Sequence, residues 1–236
     1  MSEPSAKVLS IVVPVFNKYN FTSACLNDLF RLPDSHEIVV VDNGSSDGTN
    51  ALAQIKRSNF KYIRNDVNEG FAKACNRGFA ESIGDAVMFL NNDIRVQKDH
   101  ETWTKPILDF LNVFACDKDY MVGPTVGILN EQLNFVQETD RFEGNHWYMG
   151  GWNLTATRDS YEKLILPGDM GPFSTEFGLA YFEDTDMTFR ARAQGFNFEI
   201  MKVPVTHFGK VTSTSIGLSG LYSPAQQIFK KKWLGK

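Results

Sequence analysis

Apolar residues fall along the first hundred positions in two alternating rhythms. Leu9–Val15 is a β-branched run that predicts a strand; behind it, Cys25, Leu26, Leu29 and Phe30 recur at helical spacing up to Pro33. Glu37–Val41 predicts a second strand, Gly44–Gly48 carries turn chemistry, and Leu52 and Ile55 mark a short helix. Phe60–Arg64 predicts a third strand. Phe71, Cys75, Gly78 and Phe79 define one helical face, and Ala86–Leu90 is a fourth, wholly apolar strand. Continuous apolar strands separated by helices predict an α/β fold, a mostly parallel sheet flanked by helices on both faces. Ligands of such sheets sit beyond the carboxyl ends of the strands, which here carry Asp42–Asp47 and Asn91–Asp93.

The second half is less regular. A helix is predicted from Lys105, with Pro106 in its first turn, to Ala115. Gly123–Trp152 reads as loop-rich and aromatic. Asp184–Gln194 reads as a helix stopped by Gly195, and Phe198–Val203 as a further strand. There is no internal repeat, low-complexity tract or clear linker, so residues 1–236 are read as one domain with halves at about 8–97 and about 98–236.

Composition narrows the classes. With 236 residues, 42% of them hydrophobic, the chain can bury a full core without staples. A net charge of −4 argues against a general nucleic-acid binder, so no nucleic-acid partner is expected. Cys25, Cys75 and Cys116 are odd in number and lack C-x-x-C spacing, which argues against a disulfide framework and a structural zinc site. Met1–Lys7 is polar, unlike a signal peptide, and no apolar run reaches the length of a bilayer span. A cytoplasmic protein is expected, with two readings for Lys230, Lys231, Lys232 and Trp233: peripheral contact at the inner membrane surface, or a solvated helix end.

Three acidic segments are candidates for chemistry. Asp42 leaves a buried strand into a turn with two glycines and two serines, where backbone N–H groups can approach a ligand closely; a plain turn with Ser46 or Asp47 as N-cap is the competing reading. Asn91-Asn92-Asp93 follows an apolar strand. One carboxylate with amide oxygens is enough protein for a hard divalent cation that completes its shell with substrate phosphates and water; a polar turn competes. Glu183-Asp184-Thr185-Asp186 packs three carboxylates into a first helical turn, more than capping or the helix dipole requires.

In this order, these segments resemble the family 2 glycosyltransferases, from about Leu9 to at least His207. Ile-Val-Val-Pro-Val-Phe-Asn, with Pro14 and Phe16, is similar to the family's opening strand, and Val-Asp-Asn-Gly-Ser-Ser-Asp-Gly-Thr to its nucleotide-binding turn. Asn68-Glu69-Gly70-Phe71-Ala72, with Cys75-Asn76-Arg77-Gly78, resembles its N-x-G-x-x-x-A-x-N-x-G helix start. Asn91-Asn92-Asp93 stands where the family has D-x-D, and Glu183–Gly195 resembles E-D-x-D-x-x-x-R-x-x-x-G. The family's G-G-F-D/N-E stretch is replaced by Gly171-Pro172-Phe173-Ser174-Thr175-Glu176.

The resemblance implies a GT-A, Rossmann-like fold and inverting transfer of a sugar from a nucleotide donor, UDP- or dTDP-linked, to a hydroxyl of a glycan, lipid-linked or other acceptor. The first half would hold the donor and the second the acceptor. It implies Asp184 as general base with Glu183 as the fallback, and Pro14, Phe16, Asp42, Asn68, Gly70 and Asn92 around the donor nucleotide. It implies Asp93 as ligand to Mn2+ or Mg2+. His207 is expected either as a second ligand or as an ordinary hydrogen-bonded histidine. Trp147, Tyr148 and Trp152 are candidates for stacking on the acceptor, with burial as core the competing reading. A noncatalytic nucleotide-sugar-binding module would need no acid cluster. A sugar-1-phosphate nucleotidyltransferase would show a glycine-rich loop where Pro14-Val15-Phe16-Asn17 stands, and a dinucleotide oxidoreductase would show G-x-G-x-x-G after the first strand.

Overall fold

The computed structural model describes residues 8–33, 35–97, 101–209 and 218–234. Met1–Lys7, read above as lacking a leader, lies outside the described residues.

The first half follows the predicted order: β1 (Leu9–Val15), α1 (Tyr19–Leu29), β2 (Glu37–Asp42), a 3-10 turn at Thr49–Gln54, β3 (Phe60–Arg64), α2 (Phe71–Glu81) and β4 (Ala86–Leu90). The short strand β5 (Ile94–Val96) precedes α3 (Lys105–Phe114). Then come β6 (Tyr120–Gly123), β7 (Val126–Leu129), β8 (Phe135–Thr139), β9 (Trp147–Met149), β10 (Asn153–Thr157) and α4 (Arg158–Glu162). The chain closes with α5 (Glu183–Ala193), β11 (Asn197–Ile200), β12 (Val205–His207) and α6 (Tyr222–Trp233).

The main sheet has seven strands in the order β11-β6-β10-β4-β1-β2-β3. β1 pairs in parallel with β2 and β4, and β2 with β3; β10 runs antiparallel to both β4 and β6. Alternation along β1 explains the two covered faces. Leu9, Ile11 and Val13 pack with Cys25, Leu26 and Leu29 of α1 and Ile107 and Leu111 of α3. Val12 points the other way, toward Ala72, Cys75 and Phe79 of α2 and Met187 and Ala191 of α5. Each fully buried side chain of the size of Ile11, Leu29 or Phe89 contributes roughly 1.5–3 kcal/mol of transfer free energy.

The stretch 123–152, expected to be loop-rich, instead carries the three-stranded antiparallel sheet β8-β7-β9. Its strands are three to five residues long, and the β7–β8 pairing slips between Ile128 and Leu129. Segments this short and irregular carry no readable period of two. Three members of the C-terminal cluster are engaged within the fold. Lys230 Nζ donates to Asn134 Oδ1 (2.6 Å), Lys232 ion-pairs with Glu176 and with Asp186 (2.9 Å), and Trp233 Nε1 donates to Asp186 (2.8 Å), which leaves Lys231 as the exposed member. No described helix is long and apolar enough to cross a membrane.

Candidate active site

The carboxyl ends of β1, β2 and β4 gather the loops singled out by sequence. After β1, Phe16 is half-buried, and Asn17 and Lys18 both take left-handed backbone (φ 56 and 64). This turn is knitted to the one after β2: Asn17 N–H donates to Ser45 Oγ (2.7 Å), and Ser46 N–H to Asn17 Oδ1 (2.8 Å). Asp47 is not an N-cap of the following 3-10 turn. It accepts from Tyr19 N–H (2.9 Å), fastening the start of α1, and from Thr49 Oγ1 (2.6 Å).

Asp42 is fully buried. Its Oδ1 accepts from Ser45 N–H (2.8 Å), and its Oδ2 accepts from the Tyr62 hydroxyl and the Arg64 guanidinium. Burial, then the bond to Asp42, pushes the Tyr62 phenol up to about 12. Arg64 also donates to Ser45 carbonyl oxygen (2.8 Å) and is the partly exposed member of the set. Sequence reading picked the acid and missed its two partners, which lie two residues apart at the end of β3. Asn68 and Gly70 belong to a neighbouring amide network. Asn43 Nδ2 donates to Asn68 Oδ1 (2.8 Å) and to Gly70 carbonyl oxygen (3.1 Å), while Asn43 Oδ1 accepts from Asn65 Nδ2 (2.8 Å). Gly70 has φ 94, and a Cβ there would lie 2.7 Å from Gly178 carbonyl oxygen, so the loop before α2 touches the loop before α5.

At the end of β4 the three residues separate. Asn92 is buried and its Nδ2 donates to Thr22 Oγ1 of α1 (2.8 Å). Asp93 is 5% exposed, and its Oδ1 is buried without a hydrogen-bond partner while lying 3.2 Å from His207 Nε2. The two meet because β5 and β12 pair antiparallel, with His207 opposite Ile94. Asn91 Nδ2 lies 3.4 Å from the same imidazole nitrogen. An orphaned buried carboxylate oxygen beside an imidazole fits a divalent cation, although among the described residues no group of three or more His, Cys, Asp or Glu side chains forms a complete site.

Trp152 lies almost flat on His207, with centroids 4.7 Å apart and planes 11° apart, and its Nε1 donates to Thr125 Oγ1 (3.0 Å). At 9% exposure it supports the imidazole rather than offering an open stacking face. Trp147, the other indole proposed for the acceptor, packs against Phe142, Phe198 and Arg192. Arg192 lies eight residues beyond Asp184 on α5, about 12 Å along the helix axis, so the structure does not bring Trp147 to the acids. Tyr148 is nearer: burial first, then the charge of Asp184, push its phenol well up.

Asp184 is half-buried at the start of α5. It does not cap the helix; the N-cap is Phe182, in left-handed backbone and without a side-chain bond. Asp184 Oδ2 accepts from Gly151 N–H (2.9 Å), and Oδ1 from its neighbour Thr185 N–H (2.7 Å). Burial raises its carboxyl above the ordinary value while these N–H bonds pull the other way. Glu183 is buried with Oε2 unpartnered. Burial, then the charge of Asp184, push it up to about 8, so it is largely protonated at neutral pH. Asp186, the third acid, is fully buried and bound to Arg190 Nε (2.8 Å), Lys232 and Trp233. The crowding read from sequence is therefore split: a structural acid, a neutral acid and one available carboxylate.

The Gly151–Trp152 segment joins the two acid-bearing rims. Gly151 N–H holds Asp184, Trp152 carbonyl oxygen accepts from Asn91 N–H (2.9 Å), and the Trp152 ring backs His207. Sequence reading picked Trp152 for its ring, as an acceptor candidate, and passed over Gly151 in a stretch read as loop-rich.

A mostly parallel sheet with acids and an imidazole at its carboxyl ends defines an α/β protein with a ligand site at the strand rim. Residues 10–173 match the family described as Glycosyl transferase family 2, and the chain belongs to that family. Glycosyltransferase AglE of Haloferax volcanii is 33% identical over 202 residues, covering 80% of this chain and 62% of that protein. Among solved structures, the mannosyltransferase PcManGT of Pyrobaculum calidifontis, in complex with GDP-Man and Mn2+, superposes with a TM-score of 0.61 at 16% identity, covering 84% of this chain and 56% of that one. TarS 1–349 of S. aureus, in complex with UDP, gives 0.57 at 19%, covering 81% and 56%. These likenesses carry the GT-A fold. The chain spans less than two thirds of each of these proteins, and the family match ends before Glu183.

Proposed function

We propose that this protein is an inverting glycosyltransferase in which Asp184 takes the proton of the acceptor hydroxyl as that oxygen attacks the anomeric carbon opposite the departing nucleoside diphosphate. The observation that carries this reading is the pair Glu183–Asp184. Burial keeps the first neutral, and backbone N–H groups hold the second as an oriented carboxylate. Positioned general-base catalysis contributes about a hundredfold to ten-thousandfold. A binding module would have no use for such an acid.

The donor lies over residues 8–97. Pro14 and Phe16 border the base; Asn68 and Gly70 shape the loop that meets the second half; Asn92 keeps the rim closed against α1. Asp42 acts from within, fixing Arg64 and Tyr62 toward the nucleoside. Asp93 and His207 would hold a divalent cation, Mn2+ or Mg2+, with diphosphate and water in the other positions. Such an ion supplies neutralisation of the charge that develops on the leaving diphosphate. Residues 98–236 receive the acceptor, a hydroxyl of a glycan or lipid-linked compound, with Tyr148 the acceptor candidate whose phenol feels the charge of Asp184. UDP and dTDP are the donors the family resemblance implies, and GDP joins them as a candidate, since one structural neighbour carries GDP-Man and another UDP.

The test is release of nucleoside diphosphate from a panel of UDP-, dTDP- and GDP-sugars with Mn2+ or Mg2+, with and without simple glycoside acceptors. Metal-dependent release from one donor supports the reading. Tight nucleotide binding with no release from any donor would instead favour the binding module.

A further inference from the structure

The start of α5 has little of its own to hold it. Its N-cap makes no side-chain bond, and Tyr181 and Phe182 enter the helix with φ 80 and 69, in a region that bulky side chains avoid. Such backbone persists only where the surroundings over-determine it. The surroundings here are largely α6. Tyr222 packs on Tyr181 and Phe182, with centroids 5.5 and 5.2 Å apart; Phe229 stacks on Phe182 (5.2 Å) and meets Phe189 edge-on (5.1 Å). At the far end of α6, Trp233 Nε1 and Lys232 Nζ both reach Asp186 Oδ1, while Lys232 also pairs with Glu176 in the preceding loop. One helix thus grips the chain on both sides of Asp184, at 181–182 and at 186–189.

We propose that Lys232 and Trp233 are positioning residues for the transfer reaction: by holding Asp186 and Glu176 they set the place of the Asp184 carboxylate. The inference rests on the reading of Asp184 as base. The grip also reaches the donor side, because the loop held by Lys232 carries Gly178 and Leu179, and Leu179 carbonyl oxygen accepts from Phe71 N–H at the start of α2 (3.0 Å). An ion pair that merely stabilised the fold would not need its carboxylate two residues from the base and its second partner in the loop closing on the donor half.

The experiment uses the whole chain carrying Trp233→Phe with Lys232→Met, which keeps both packing surfaces and removes both donors to Asp186 Oδ1 while Arg190 stays on Oδ2. Turnover of the best donor found in the diphosphate-release panel should fall about tenfold to a hundredfold, as for a base displaced by a fraction of an ångström to one ångström. UDP or GDP affinity by calorimetry should stay within about twofold, with full binding stoichiometry showing that the protein is folded. Lys232→Arg, alone or restored beside Trp233→Phe, should recover part of the turnover. Hydrogen exchange at Thr185 and Asp186 amides should quicken in the double variant while that of β1 amides is unchanged, a readout that needs no donor. Unaltered turnover and exchange, or a loss of nucleotide affinity that parallels the loss of turnover, would overturn the proposal. Asp184→Asn separates the two readings. If it is inactive while the α6 variant works normally, only the positioning role fails; if it turns over like the wild type, the base assignment fails.

Discussion

Gly151 N–H points into the Asp184 carboxylate at 2.9 Å, and a Cβ on Gly151 would sit 2.7 Å from the same oxygen and 2.8 Å from Asp184 Cβ. The glycine is required here by the approach of the acid, not by its own backbone angles, which carry no positive φ. Because Asp184 cannot swing outward without losing this bond, the segment between β9 and β10 sets the direction in which the carboxylate faces.

Gly151→Ala should therefore lower turnover about tenfold to a hundredfold by pushing the carboxylate aside. Nucleotide affinity, which depends on the other rim, should be close to wild type. Steady-state kinetics beside calorimetry with UDP or GDP checks this; turnover equal to wild type would mean that Asp184 finds an equivalent position.

Asp184→Asn keeps the shape of the side chain and cannot accept a proton, so transfer should drop by about a thousandfold while nucleotide binding persists. Glu183→Gln should retain most of its turnover, since Glu183 already carries its proton at neutral pH. The opposite ranking of the two variants would move the base to Glu183.

The same neutral acid makes a stability prediction. Glu183 titrates at 4.5 ordinarily and at about 8 in the folded protein. Between these values the unfolded chain has released a proton that the folded chain keeps, so stability falls as pH rises from about 4.5 to about 8 and levels off above. Glu183→Gln removes this penalty. Its unfolding free energy relative to wild type, from denaturant titrations, should climb steadily from pH 5 to pH 8, for a total on the order of a few kcal/mol. A constant difference between the two proteins across that range would show that Glu183 is ionised in the fold.

Much of this site was legible in the sequence because strand ends are. A buried apolar strand that ends in an acidic segment places that segment at the rim, which is how Asp42 and Asp93 were legible; the Asp93–His207 meeting depends on the pairing of β5 with β12 and was legible only as one of two readings of His207. What each acid does there was not legible. Whether Asp42 faces ligand or protein depends on Arg64 and Tyr62, which reach it across a parallel strand pair. Glu183, Asp184 and Asp186 look alike in sequence; tertiary partners from β9–β10 and from α6 make them different. The strands β7–β9 and the antiparallel β10, two of them as long as β3 and β4, escaped for lack of a readable period, and with them the Gly151–Trp152 bridge.

Asp42→Ala should weaken UDP or GDP binding about tenfold, whatever sugar is attached, by releasing Arg64 and Tyr62 from their fixed places; it should also destabilise the fold by about 1–3 kcal/mol, since Ser45 N–H and the Tyr62 hydroxyl lose their acceptor. Denaturant unfolding and calorimetry separate the two effects. Unchanged affinity in the folded fraction would make Asp42 a purely internal strut of the turn.

His207 is held from three directions: its strand pairs with β5, its ring rests on Trp152, and its Nε2 faces the otherwise unpartnered Asp93 Oδ1. A neutral imidazole is a better ligand for manganese than for magnesium, which holds to oxygen ligands and its own water. If the pair holds a cation, His207→Ala should raise the Mn2+ concentration for half-maximal binding about tenfold or more, with a smaller effect for Mg2+. Trp152→Leu should do the same more weakly, by up to about tenfold, because it removes the surface that fixes the ring. The measurement is Mn2+ binding by electron paramagnetic resonance in the presence of UDP or GDP, which reads the site without requiring turnover. Asp93→Asn should abolish the bound signal. If His207→Ala leaves the Mn2+ titration unchanged while Asp93→Asn removes it, the imidazole serves only to pack against Trp152, and Asp93 with the donor diphosphate makes the site.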